Sequence, residues 1–354
     1  MKAINPSSGV CTISSLFDSS TNTEAKDNSS KAELLNHTFV SHFNTKQMPI
    51  QHSDIPEVNP EDSYDSILCS EEEVYNLLCS LDTSKSNGDD DISAVMLRNT
   101  ALSITEAVTK IFNISISLGE LPDEWKVSRV TPIPKSGDRT NPSNYRPISL
   151  LSILSKLLEK HMAQLLIEHM EANSPISPYQ WGFCKGKSTS GTLALAVDQW
   201  HRQLEESNDI CTVFFDYQKA FDTVPHRHLL FKLETLGVNS YVIRWLTHYL
   251  CKRHQHVCIN GSNSSKLFVT SGVPQGSVLG PTLFIIYIND ITHLTLSDGS
   301  MSIFADDIMI YRPIHMPEDF ALLQSDIDKL ASWSLHPGWS TTSYSSMLTN
   351  VSSC

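Results

Sequence analysis

Asp306 and Asp307 stand side by side in Phe304-Ala305-Asp306-Asp307, between the apolar stretches Met301 to Phe304 and Ile308 to Tyr311. Alone, such a pair between two strands is a β-turn, because Asp tolerates turn dihedrals and makes local hydrogen bonds. A second feature changes that reading: the apolar run Cys211 to Phe215 leads straight into Asp216, in the string FFDYQKAFDTVPH. A carboxylate ending an apolar strand sits at a sheet edge, where burial without a partner costs several kcal/mol. Three carboxylates within a few ångströms repel and raise one another's pKa, and a shared divalent cation removes both costs. Oxygen-only ligands suit Mg²⁺, with Mn²⁺ as a substitute, water and phosphate oxygens completing the octahedron. The chemistry that uses such a cluster is in-line phosphoryl transfer with two metals. One lowers the pKa of an attacking hydroxyl; the other holds a triphosphate and neutralises the leaving group.

The surrounding patterns show what must hold these side chains. Short apolar runs bounded by turn residues predict strands at Ile210 to Phe215, at Met301 to Phe304 and Ile308 to Tyr311, and at His254 to Asn260 and Lys266 to Thr270 around an Asn260-Gly261 turn. Helical spacing appears in Leu154, Leu157, Leu158, Met162 and Leu165, and again in Leu193, Val197, Trp200 and Leu204, both read as core-facing helices. Further helices are predicted from Pro281 to Ile291 and from Pro317 to about Leu335, where Phe320, Leu323, Ile327 and Leu330 share a face. Helices and strands mix without a regular βαβ period, which predicts an α+β fold.

A net charge of −13 on 354 residues opposes contact with phosphates, which needs Lys and Arg. The charge is uneven, however: residues 1–100 carry 6 basic and 16 acidic side chains, residues 101–290 carry 18 and 16, and residues 291–354 carry 2 and 7. The motif-bearing middle is mildly basic. Eight cysteines without a CxxC pair read as reduced thiols. The longest apolar run, Leu283 to Ile288, is far short of the roughly 20 residues that span a bilayer, and MKAINPSSG lacks the apolar core of a signal peptide. The expectation is an intracellular protein of the nucleus or cytoplasm, neither secreted nor membrane-bound. Cys251, His254, His256 and Cys258 are zinc-type ligands, yet they fall on an alternating strand with no second knuckle, so no metal is assigned to them. His226 and His228 read as exposed helix-start residues without a catalytic role.

FFDYQKAFDTVPH, SGVPQGSVLGP and FADD, in this order and spacing, resemble the motif series of reverse transcriptases of non-LTR (LINE-type) retrotransposons, the jockey-like group especially. Upstream, KSNGDDDIS, LPDEWKVSRVTPIPKSGD, NYRPISLLSILSKLLEK and QWGFCKGKST are similar to that family's fingers motifs, so the likeness runs from about Lys85 to Trp333. It implies a right-hand polymerase fold with fingers and a palm, the palm a ferredoxin-like antiparallel sheet with flanking helices. Residues 1–70 are then a partly disordered linker or docking extension, 71–209 the fingers, 210–335 the palm and 336–354 a low-complexity tail.

The resemblance implies roles residue by residue. Asp216, Asp306 and Asp307 match the catalytic metal ligands. Phe221 matches the aromatic beneath the incoming sugar, whose bulk opposes a 2′-OH. Arg146 is similar to the arginine that grips the triphosphate, and Lys135 to a neighbouring lysine; a guanidinium fork fits phosphate oxygens bidentately where an ammonium is a point charge. Gln275 and Gly276 lie in the low-bulk loop Gly272-Val273-Pro274-Gln275-Gly276, read as letting backbone approach the template base and nucleotide, with Ser277 capping the next helix. The implied partners are an RNA template, a DNA primer and dNTPs.

Departures are also visible. Phe304 replaces the tyrosine of many members, and Asp89 and Asp91 add charge to a fingers loop. After Lys329 there is no Lys or Arg, 11 of the last 23 residues are Ser or Thr, and no apolar period predicts a helix or strand there. Neither the family's Asn-Pro-x-Lys segment nor its helical thumb is recognisable. The alternative expectation is therefore an inactive, truncated or frameshifted remnant that at most binds nucleic acid. A third reading, an RNA-dependent RNA polymerase, fits poorly with an aromatic at Phe221.

Overall fold

Leu283 to Ile288 has no polar face, and the fold buries every one of these side chains. The computed structural model describes residues 13–18, 21–43, 49–206, 209–294, 300–335 and 341–349, the last without side chains. Along the chain come a small hairpin, β1 (Leu16–Asp18) and β2 (Thr23–Ala25), then α1 (Asn28–Val40), α2 (Glu71–Cys79), α3 (Ala94–Asn99) and α4 (Ala101–Leu118). A strand pair follows, β3 (Val127–Pro134) and β4 (Tyr145–Leu150), then the long helix α5 (Ile153–Asn173) and α6 (Thr189–Glu205). After β5 (Asp209–Tyr217) come α7 (Ala220–Thr223), α8 (His226–Thr235), α9 (Ser240–Leu250), β6 (His254–Ile259), β7 (Ser262–Asn263) and β8 (Leu267–Phe268). The chain continues with α10 (Leu279–Ile288), β9 (Ser300–Phe304), β10 (Asp307–Ile314), α11 (Glu318–Leu335) and β11 (Thr341–Thr349).

Two sheets result. One has the order β11-β5-β10-β9 with every neighbour antiparallel. Between β5 and β11 its strands and helices run strand, helix, strand, strand, helix, strand through α10 and α11, the split βαβ arrangement. The other joins β4-β3-β6-β7, with β8 also on β6; β3 is antiparallel to β4 and parallel to β6, so this sheet is mixed. Asn260 and Gly261 both have positive φ, 48° and 82°, as the tight turn between β6 and β7 requires. The mixed helix and strand content agrees with the α+β expectation. Among the described residues no helix is long and apolar enough to cross a membrane.

Residues 1–70 contain α1, which lays Ala32, Leu35 and Phe39 onto Val130, Val257 and Ile259 of the mixed sheet and completes a second small core. Asp27 caps this helix by accepting from the Ser30 amide. The helix carrying Leu193 and Val197 forms, but it is not core-facing: Leu193 is 62 % exposed and, of its residues, only Ala196 is buried. Periodicity reports a face that can be covered, not what covers it. In the tail, residues 341–349 form β11 and pair with β5, from Thr341 opposite Tyr217 to Thr349 opposite Ile210. Strand pairing is satisfied by backbone groups, so it does not need the apolar period whose absence argued against a strand. Residues 336–340 and 350–354 of the tail lie outside the described residues.

Candidate active site

The antiparallel register decides which carboxylates meet. Asp307, the first residue of β10, pairs directly with Asp216 on β5, while Asp306 sits in the tight turn just before it. Asp216 and Asp307 are exposed and Asp306 is half-buried. Burial pushes Asp306 up to about 6, helped by the charges of Asp307 and Asp216, while Arg146 opposes the shift. Asp307 is raised for the same reasons, burial first and then Asp216. Asp306 and Asp307, raised by burial and by the carboxylate charges around them, make with Asp216 a donor set short of positive charge, which a hard dication fits. Their oxygens do not all converge: among the described residues, only Cys69, Glu73 and His161 bring three such ligand atoms within 4.8 Å of one another.

The turn before Asp307 is held from outside the strand pair. Ala305 has a φ of 57°, a left-handed conformation that costs about 1–2 kcal/mol for an L-residue with a Cβ. Its amide donates to Gln180 Oε1 at 3.0 Å, which also accepts from the Gly182 amide at 2.8 Å. The Trp181 amide donates to Ile303 O, and the Ile303 amide to Tyr179 O. Gly182 is required here because a Cβ would come within 2.4 Å of the Ala305 nitrogen. Lys187 closes the strap by donating to the carbonyls of Pro178 and Gln180. Sequence reading found the QWGF string only through resemblance; nothing local in it points to a turn 125 residues away.

The cationic side of the site contains one residue that sequence reading missed. Arg146 projects from β4 as an exposed side chain, opposite Ile133, and Lys135 follows β3. Lys219 in the string FFDYQKAFDTVPH joins them: burial, with Lys135 and Arg146 adding to it, lowers its ammonium to about 8. Its φ of 52° turns the chain from β5 into α7. A lysine three residues after Asp216 was the available signal.

Phe221 stacks on Phe284 with ring centroids 4.1 Å apart and stays partly exposed, with Phe183 edge-on at 6.1 Å. Gln275 donates from Nε2 to Asp222 Oδ1 at 2.8 Å, and Asp222, buried, is raised to about 6 by that burial. The loop's close approach is to the protein's own backbone: a Cβ on Gly276 would meet Ser149 O at 2.5 Å, and one on Gly272 would meet Asp222 O and Phe221 O at 2.6 Å. Both glycines have positive φ. Ser277 Oγ accepts from the Gly280 amide, as a capping residue does, and buried Glu159 of α5 accepts from the Val278 and Leu279 amides. The loop and α10 are thereby fixed against β4, α5 and α7.

His226 corrects another expectation, for it is buried rather than exposed. Its Nε2 lies 2.7 Å from Gly272 O, in donating position, one residue after the Pro225 that precedes α8. Burial lowers it from 6.5 to about 4. Between those values the unfolded chain binds a proton that the folded chain refuses. Stability present above pH 6.5 is therefore lost as pH falls toward 4, by up to roughly 3 kcal/mol for this group. His226→Gln, which keeps a donor, should reduce the acid slope of stability in urea unfolding between pH 6.5 and 4; an unchanged slope would show that His226 does not carry it. The four zinc-type residues at positions 251–258 form no ligand cluster among the described residues, and His256 instead bonds Asp89 at 2.8 Å.

Residues 133–339 match the family model described as reverse transcriptase (RNA-dependent DNA polymerase). The chain is 31 % identical over 68 % of its length to the RNA-directed DNA polymerase from mobile element jockey of Drosophila melanogaster. It is 32 % identical over 74 % of its length to a probable RNA-directed DNA polymerase from transposon BS of the same organism, and 31 % identical over 54 % to a Pol polyprotein from type-1 retrotransposable element R2 of Popillia japonica. It spans 27 %, 30 % and 26 % of those proteins, respectively. The resemblance to non-LTR elements read from the motifs is thus borne out, and, with more than half of its residues inside the family model, the chain belongs to the reverse transcriptase (RNA-dependent DNA polymerase) family.

Proposed function

We propose that this chain supplies the fingers and palm of an RNA-directed DNA polymerase that adds dNTPs to a primer 3′-OH on an RNA template. The observation that carries the reading is the register of Asp216 against Asp307 with Asp306 in the adjoining turn, at the end of a split βαβ sheet. The antiparallel sheet with α10 and α11 is the palm; the mixed sheet and its neighbouring helices are the fingers. Bound Mg²⁺, or Mn²⁺ in its place, would sit on the three aspartates, activate the 3′-OH and neutralise the leaving pyrophosphate. Arg146, Lys135 and Lys219 bind the triphosphate, whose charge offsets the mutual repulsion of three cations. The 3′-OH gives up its proton to solvent, and its oxygen forms a bond to the α-phosphorus as the bond to pyrophosphate breaks. Gln275, held by Asp222, sets the position of the loop that carries Gly276 beside the nucleotide and template. Phe221, backed by Phe284, fills the space a 2′-OH would need. The matches to RNA-directed DNA polymerases do not favour an inactive remnant, and residues 341–349 of the tail pair with β5.

Extension of a DNA primer on RNA with dNTPs and Mg²⁺ tests the reading. Incorporation is expected, together with a loss of discrimination against rNTPs on the order of 100-fold in Phe221→Val. No extension by the folded chain would overturn the polymerase assignment; unchanged sugar selectivity would remove Phe221 from its role.

A further inference from the structure

Far from the aspartates in sequence, His161 of α5 is buried, and both of its ring nitrogens face acceptors. Nε2 lies 2.8 Å from Ile67 O and Nδ1 lies 2.8 Å from Glu73 Oε1. A neutral imidazole has one N–H, so one of these contacts needs either a second proton or a cation. The buried Cys69 thiol completes the group: its sulfur, a Glu73 oxygen and a His161 nitrogen lie within 4.8 Å of one another. We propose that Cys69, Glu73 and His161 form a binding site for a zinc-class divalent transition-metal ion, separate from the polymerase aspartates.

The chemistry of the three donors fits. Thiolate, carboxylate and imidazole are the ligands of a tetrahedral zinc site, with the fourth position open to water. Nε2–H donating to Ile67 O is the outer hydrogen bond that fixes a ligating histidine's tautomer and leaves the Nδ1 lone pair facing Glu73 and Cys69. Thiolate and carboxylate neutralise a dication, so the filled site buries no net charge. Burial, with the Glu73 charge adding to it, pushes the free thiol up to about 12, so binding releases the thiol proton to solvent.

The frame is built in advance. The Asn113 side chain of α4 holds the Cys69 backbone on both sides, accepting from its amide at 2.8 Å and donating to its carbonyl at 3.0 Å. Ser70 caps α2 by accepting from the Glu73 amide. His161 joins this group from α5, 88 residues beyond Glu73. An ion here would tie α2 to α5. A cleft lined by Ser70, Glu73, Asn76 and Lys160 opens to solvent beside Glu73.

Co²⁺ titration of the whole chain, stripped with chelator and dialysed, tests the site. A sulfur-to-cobalt charge-transfer band saturating at one ion per chain is expected, bleached by added Zn²⁺. It should vanish in Cys69→Ser and shift to at least about tenfold weaker binding in Glu73→Gln. It should persist in Cys184→Ser and in Asp306→Asn. Circular dichroism checks that each protein is folded; should Cys69→Ser fail to fold, Glu73→Gln, altered at a partly exposed carboxylate, carries the decision. No band from the folded wild-type chain would overturn the proposal. So would a band that survives Cys69→Ser, is lost in Cys184→Ser, or keeps its affinity in Glu73→Gln.

Discussion

Replacing Asp306 by asparagine is expected to slow single-nucleotide incorporation at least about a thousandfold, roughly 4 kcal/mol of transition-state stabilisation. Asparagine preserves the size of the side chain and one oxygen, so the turn and its Ala305 bond to Gln180 survive while the charge is lost. The effect is large because Asp306 is the most buried of the three carboxylates and the one whose charge the protein resists most. A site that holds an unfavourable charge in place has that charge available for a cation whenever one binds. Pre-steady-state extension at saturating dNTP separates this loss of rate from loss of nucleotide binding. Incorporation within tenfold of the unaltered chain would take Asp306 out of the metal site.

Glu159→Ala is expected to cost about 3–5 kcal/mol in denaturant unfolding, with the slope against denaturant unchanged. Glu159 is fully buried on α5, accepts from the Ser155 hydroxyl and from the Val278 and Leu279 amides at the start of α10, and feels the charge of buried Arg253. Arg253 Nε and Nη2 have no hydrogen-bond partner among the described residues, so its charge leans on Glu159. Truncation leaves amides without an acceptor and a buried guanidinium without a counter-charge. Glu159→Gln restores an acceptor but no charge and should recover part of the loss. A cost below about 1 kcal/mol for the alanine variant would show that neither the cap nor the counter-charge is needed.

Much of the site was legible because its signals are local. A strand that ends in Asp216 and a turn that holds Asp306 and Asp307 are each visible within a few residues, and the expected strands form around them. Arg146 and Lys135 were singled out by resemblance alone, and the charges of both act on Lys219. What escaped were residues whose partners are distant. Gln180 looks like any polar residue until Ala305 is seen above it, and His226 looks exposed until Gly272 covers it. Glu159 lies on a helix whose apolar face is plain, yet it points into the core, which makes sense only once the start of α10 and Arg253 are there.

The sequence by itself determined the kinds of element, the donor types and their order, since hydrophobic period, turn chemistry and carboxylate position depend on neighbours along the chain. Only the tertiary structure decided the rest. Sheet order set Asp307 against Asp216, exposed the Leu193 face of α6, and turned an aperiodic Ser- and Thr-rich stretch into the strand beside β5. The reason is physical: backbone pairing and close approach, as of Gly182 to Ala305, depend on which elements become neighbours in space.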